Sequence, residues 1–150
     1  MERDEDLVAY RLLIADVYEL AGQSRRTSES LARGIGQTAA RWHVLSVLSD
    51  QPRTVATAAR RLGLARQSVQ RVVNELVNDD KLELHSNPDH ARAPLVALTA
   101  AGRETLTVLV RHSDDDRAAL LEDADVTIED LRAARTTLKQ LLPALDRRGT

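Results

Sequence analysis

Apolar residues recur along this chain at helical spacing in some stretches and at strand spacing in others, and the alternation divides it into elements. From Asp6 to about Arg33, Leu7, Tyr10, Leu13, Ile14, Val17, Tyr18 and Ala21 make a wide helical stripe. Gly22 is expected to loosen its middle, because glycine in a helix interior costs about 1 kcal/mol against alanine. Gly34-Ile-Gly-Gln37 breaks the pattern. Thr38 is placed to cap a second helix, Ala39 to Ser49. That helix is apolar on several sides through Trp42, Val44, Leu45, Val47 and Leu48, so it is expected to lie centrally. Asp50-Gln-Pro-Arg53 reads as a turn. Thr54 can then cap a third helix, in which Val55, Ala58, Ala59 and Leu62 stand at i, i+3, i+4 and i+7, and Gly63 ends it. Val69, Val72, Val73 and Leu76 repeat the template in a fourth, within Leu64 to Leu76. Two short amphipathic helices joined by a glycine-containing turn, with small alanines where they must approach, form a helix-turn-helix layout.

The period then changes. Lys81-Leu-Glu-Leu-His-Ser86 alternates apolar and polar residues as a half-buried strand does. Asn87-Pro-Asp89 is turn chemistry, and Leu95-Val-Ala-Leu98 reads as a returning strand with Pro94 at its start. A hairpin in this place is a wing, and its tip carries His90 and Arg92. Thr99 caps a fifth helix with Leu106, Leu109 and Val110 on its apolar face. His112 and Asp114-Asp-Asp116 interrupt that face, and Leu120-Leu121 are placed to continue it. Thr127-Ile-Glu-Asp130 is a capping signal. Leu131, Ala134, Leu138, Leu141 and Leu145 follow in alternating steps of three and four, a short coiled-coil-like seam. Pro143 is expected to distort its end. The fold class is mainly α with a small β-hairpin wing.

Composition changes this picture in three ways. With no Phe, one Trp and two Tyr, the core is aliphatic and alanine-rich, which suits close-packed helices. The net charge of −2 gives no global attraction to nucleic acid, yet charge is segregated. Arg53, Arg60, Arg61, Arg66 and Arg71 occupy a stretch without one Asp or Glu, so attraction to a polyanion would come from a local patch. The absence of cysteine excludes disulfides, thiolate metal sites and thiol redox sensing. No apolar run approaches a membrane span and the acidic N-terminus is unlike a signal peptide, so a cytoplasmic protein without membrane contact is expected.

The fourth helix carries the candidate chemistry. With Val69 at zero on a helical wheel, the apolar residues cluster and Gln67, Gln70, Arg71 and Asn74 fall opposite. Carboxamides and a guanidinium read base edges or grip phosphates, although the same residues also suit an ordinary solvated face. Arg66 lies nearer the flank and suits a phosphate. Arg92 on a thin turn can enter a narrow minor groove, or can simply be solvated. His43 on an apolar helix is most simply a satisfied, half-buried side chain. Three consecutive acids on a helix point in different directions, so no metal site or other cofactor is expected. Nor is an enzyme, since no nucleophile, paired carboxylates or phosphate-binding glycine loop is present.

The order of elements resembles the MarR family of winged-helix transcription regulators over nearly the whole length. The resemblance rests on Gln37-Thr-Ala-Ala-Arg-Trp-His-Val-Leu45, Ala58-Ala-Arg-Arg-Leu-Gly-Leu64, Arg66-Gln-Ser-Val-Gln-Arg-Val-Val-Asn-Glu-Leu76, and Pro88-Asp-His-Ala-Arg92 followed by Val96-Ala-Leu-Thr-Ala-Ala-Gly102. It implies a winged helix-turn-helix domain over 1–150. Residues 38–99 would be the DNA-binding lobe, and 1–35 and 100–150 dimerisation helices that bury the two terminal apolar stripes against a second copy. It further implies a homodimeric, ligand-responsive repressor on palindromic double-stranded DNA, with half-sites roughly 34 Å apart. By position, Thr54, Arg66, Gln67, Ser68, Gln70, Arg71, Asn74 and Arg92 would touch DNA. Trp42 and His43 would line a site for a small aromatic or phenolic ligand, whose binding changes lobe separation. Three positions depart from the family pattern. Ala65 stands where Ser is usual, Asp80 where Gly is usual before the wing, and His90 where an acid commonly pairs with the wing arginine. The alternative function is a winged-helix dimer that binds another protein and no specific DNA, which the acidic net charge favours.

Overall fold

Four of the helices begin on a threonine, each in extended or loop backbone with its hydroxyl turned onto an early N–H of the helix it starts. Thr38 Oγ1 accepts from Arg41 N–H at 3.1 Å, Thr54 Oγ1 from Thr57 N–H at 3.1 Å, Thr99 Oγ1 from Gly102 N–H at 3.0 Å and Thr127 Oγ1 from Asp130 N–H at 3.2 Å. The computed structural model describes residues 2–149. In chain order it runs α1 (Glu2–Arg33), α2 (Ala39–Val47), α3 (Val55–Leu62), α4 (Arg66–Asn78), β1 (Leu82–His85), β2 (Leu95–Leu98), α5 (Ala100–Asp123) and α6 (Ile128–Asp146). Contacts divide it into two compact units, Met1–His112 and Ser113–Thr150, so that α5 begins in the first and ends in the second.

In the first unit the core gathers on α2, as its many-sided apolar surface predicts. Trp42, Val44, Leu45 and Leu48 are buried with Ala58 and Ala59 of α3, Val69, Val72, Val73 and Leu76 of α4, and Leu82, Val96 and Leu109. The antiparallel hairpin pairs Leu82 with Leu98 and His85 with Leu95. On its other edge β2 receives a single rung, in which Arg53 and Val96 exchange both backbone hydrogen bonds, 3.1 and 2.7 Å. Two close approaches fix the wing's root. Asp80 adopts φ +57°, the left-handed backbone that glycine would take most easily. Thr99 N–H then bonds Lys81 O at 3.1 Å, and Thr99 Oγ1 donates to Asp80 O at 2.6 Å.

Several sequence expectations shift at their edges. Helix α1 starts at Glu2, where Glu2, Asp4 and Glu5 oppose the positive N-terminal dipole, and it runs unbroken through Gly22. The second helix stops at Val47, two residues early. Strand β1 is one residue shorter at each end, and Leu84 is 55% exposed, so the hairpin buries only Leu82 on that strand. Helix α5 passes through His112 and Asp114 to Asp116 without a break, because the three acids are exposed and solvated.

In the second unit, the end of α5 turns through Asp125 at φ +52° into α6. Thr127 and Asp130 complete a reciprocal capping box. The Thr127 N–H, then its hydroxyl, bonds the Asp130 carboxylate and holds it below the usual aspartate range. A lowered carboxyl contributes stability above its unfolded pKa, lost as pH falls through the folded one. Helix α6 continues through Pro143 to Asp146 and buries no residue within the chain. Ile128, Leu131, Leu138, Leu142 and Leu145 are exposed, as in the first unit are Leu7, Val8, Tyr10, Leu12, Tyr18 and Leu20 of α1. Among the described residues no helix is long and apolar enough to cross a membrane.

Candidate nucleic-acid interface

The corner between α3 and α4 is set by Gly63 at φ +65°. Its N–H bonds Arg60 O at 3.2 Å, and Leu64 N–H bonds Ala59 O at 3.0 Å, closing α3 in a left-handed C-cap. Ala58 and Ala59 are buried at this corner, where larger side chains would hold the helices apart. Ala65, the N-cap of α4, makes no side-chain cap bond, which is the direct consequence of its missing hydroxyl. The apolar template of α4 is fully used, with Val69, Val73 and Leu76 at 1% exposure or less. The opposite face is therefore turned out, and Arg66, Gln67, Ser68, Gln70, Arg71 and Asn74 are all exposed on it. Gln70 Nε2 donates to Asn74 Oδ1 at 2.9 Å, one turn on, so the two carboxamides order each other.

The wing loop is shaped by Asn87. Its Oδ1 accepts Asp89 N–H at 3.1 Å and its Nδ2 donates to Ala93 O at 2.9 Å, across the loop. This presents Arg92 on an exposed turn, with no ion pair to Asp89 among the described residues. Thr54 is spent differently. Its hydroxyl caps α3 and donates to Thr57 Oγ1 at 3.1 Å. Thr54→Ala should therefore cost about 1 kcal/mol and lower a thermal melt by about 2–4 °C, which differential scanning calorimetry will read.

The arginine patch is smaller than the sequence suggests. Arg53 is 9% exposed, its Nε donates to Val47 O at 2.9 Å, and its Nη2 lies 2.9 Å from Asp50 Oδ2. Desolvation opposes ionisation of Asp50, but the hydrogen bond and charge of Arg53 outweigh it and hold the carboxyl below its usual range. Arg53 thus ties the α2–α3 turn to the sheet, and only Arg60, Arg61, Arg66 and Arg71 remain exposed.

Three arginines outside that stretch join the α4 region. Arg41 of α2 pairs with Asp79 at the C-terminal end of α4, and its Nε lies 3.7 Å from Glu75 Oε2. Arg25 and Arg26 of α1 line a groove with Ser68 and Arg71 of α4. Spacing along the chain carried no sign of either meeting, since both join elements far apart in sequence. His43 lines the same groove, whereas Trp42 is 5% exposed in the core and does not.

A family model described as the MarR family matches residues 35–93. Uncharacterized proteins of Mycobacterium tuberculosis and Mycobacterium bovis are 45% identical over 133 residues, covering 89% of this chain and 92% of theirs. Among solved structures, a MarR/EmrR family transcriptional regulator from Acinetobacter sp. ADP1 is similar with a TM-score of 0.74 and 24% identity, covering 91% of this chain and 96% of that one. A mutant MarR from E. coli complexed with operator DNA gives 0.66 and 21%, covering 89% and 96%. A Mycobacterium tuberculosis transcriptional regulator in complex with DNA gives 0.65 and 23%, covering 88% and 96%. At these identities the solved structures speak to the fold.

Proposed function

The chain belongs to the MarR family, and from that premise we propose that it is a sequence-specific double-stranded DNA-binding transcriptional regulator, a homodimeric repressor of the cytoplasm released by a small ligand. The observation that carries the reading is the polar face of α4. It is turned outward by a fully buried apolar face and a fixed corner, free of acids through its first two turns and flanked by a wing that exposes Arg92. Gln67, Gln70, Arg71 and Asn74 suit base edges in a major groove, Arg66 and Ser68 suit phosphates, and Arg92 suits the adjacent minor groove. Solved relatives of the same fold that carry DNA support the class of partner.

The test is selection of duplexes from a random pool by the purified chain, followed by gel shifts at two salt concentrations. Enrichment of a palindromic sequence is expected, with affinity falling steeply as salt rises. No duplex bound at low salt would sink the reading and promote a protein-binding module.

Dimerisation follows from area. The exposed apolar residues of α1 and of α6 are too numerous for a lone chain to leave in water, and a second copy is the partner that a palindrome requires. Leu131→Asp with Leu138→Asp should convert the protein to monomer by sedimentation and abolish tight binding to a two-half-site duplex. A variant that stays dimeric would place the interface elsewhere.

A further inference from the structure

Arg71 stands on two surfaces. It belongs to the outward face of α4, and it also lines the groove of about 400 Å³ between α1, α2 and α4. That volume lies in the usual range for small-molecule sites. The groove's floor is apolar, formed by Ala40, Val44, Leu64 and Val72 among others, while Arg25, Arg26 and Arg71 bring guanidinium groups to it. The acid that lines it, Glu29, is already engaged. Its Oε2 accepts Ala39 N–H at 2.8 Å, at the start of α2, and its Oε1 lies 3.6 Å from Arg33 Nε. Among the described residues no carboxylate pairs with Arg25, Arg26 or Arg71. An apolar cleft with unmatched guanidinium groups is complementary to an amphiphilic anion.

We infer that this groove takes a small apolar ring or chain ending in a carboxylate or sulfonate, and that this anion and DNA compete directly for Arg71. The inference rests on the reading that Arg71 contacts DNA. Two physical terms make occupancy exclusive. A carboxylate in the groove draws the guanidinium into a charge-assisted, bidentate pair and away from the duplex. It also sets a negative charge beside the helix that must meet phosphates. Release then needs no change in the spacing of two lobes, because the group removed is one that reads the operator.

Competition and allosteric coupling separate by arithmetic. A ligand acting through a distant equilibrium weakens DNA binding only up to a fixed coupling factor and then plateaus. A competitor raises the apparent Kd in proportion to its concentration, without a ceiling. The probe is 2-naphthoate, titrated at constant ionic strength against the full-length chain by calorimetry, and against the selected duplex by fluorescence anisotropy. Expected are naphthoate binding at least tenfold tighter than that of uncharged 2-naphthamide, a DNA Kd that rises linearly with naphthoate, and at least a fivefold loss of naphthoate affinity in Arg71→Ala. Arg71 is exposed, so that variant keeps its fold, which circular dichroism will confirm. A plateau, independent binding of naphthoate and DNA, equal affinity for the amide, or unchanged affinity in Arg71→Ala each overturns the inference while leaving DNA binding intact. Failure of the wild-type chain to bind any duplex would instead remove the DNA reading, and competition with it.

Discussion

Gly102→Ala should lower the melting temperature by about 10 °C, a larger change than any other single methyl group added to this chain would cause. An ideal Cβ at residue 102 would sit 2.0 Å from Lys81 O and 2.9 Å from Lys81 C, both backbone atoms that cannot swing aside. The same contact is where the root of the wing meets α5. Thr99 N–H bonds Lys81 O, Thr99 Oγ1 bonds Asp80 O, and Gly102 N–H bonds Thr99 Oγ1. Moving α5 away far enough to admit a methyl group stretches all three bonds together. Overpacking of this kind costs about 1–3 kcal/mol, and about 3 kcal/mol in a chain of this size shifts the midpoint by about 10 °C. Gly22→Ala makes the same chemical change in the interior of α1, where the added carbon meets only the Arg26 side chain at 3.9 Å. It should stabilise the helix by up to about 1 kcal/mol. Melts of the two variants beside the wild type check the argument, and a Gly102→Ala protein that melts within 2 °C of wild type would contradict it.

Gly102 also marks where sequence reading runs out. Position within the first turn of α5 was legible from Thr99 and the apolar face after it, but the reason for glycine was not, because the obstructing carbonyl belongs to residue 81. Local periodicity placed α3, α4, their caps and the glycine corner, since each depends on neighbours within a few positions. It also assigned the polar face of α4, which follows from the apolar face by geometry alone. What it could not supply were meetings between distant segments. Arg53 looked like a member of a basic patch and is instead buried against Val47 and Asp50. Arg25 and Arg26 looked like ordinary helix-surface cations and come to the rim of α4. Leu84 fitted the alternation of a half-buried strand, but a hairpin of two short strands, with its other rung at Arg53 and Val96, has nothing to cover it.

Arg71→Ala should weaken binding to the selected duplex by about 10- to 100-fold, the effect of losing about 1–3 kcal/mol at one guanidinium–base contact. On the wheel Arg71 lies near the centre of the polar face beside Gln67 and Asn74, whereas Arg66 lies toward the flank. The two substitutions should therefore differ in kind. If Arg71 reads a base, its loss also narrows the gap between the selected duplex and a scrambled one. If Arg66 grips a phosphate, Arg66→Ala weakens both duplexes alike and reduces the slope of log affinity against log salt by about 0.9. Net charge makes the second measurement informative. The chain carries 21 Lys and Arg against 23 Asp and Glu, so a general polyelectrolyte attraction is absent and the slope reports the local cations almost alone. Equal loss of affinity on both duplexes in Arg71→Ala would reassign Arg71 to the phosphate backbone, leaving Gln67 with the ordered pair Gln70 and Asn74 as the groups that read sequence.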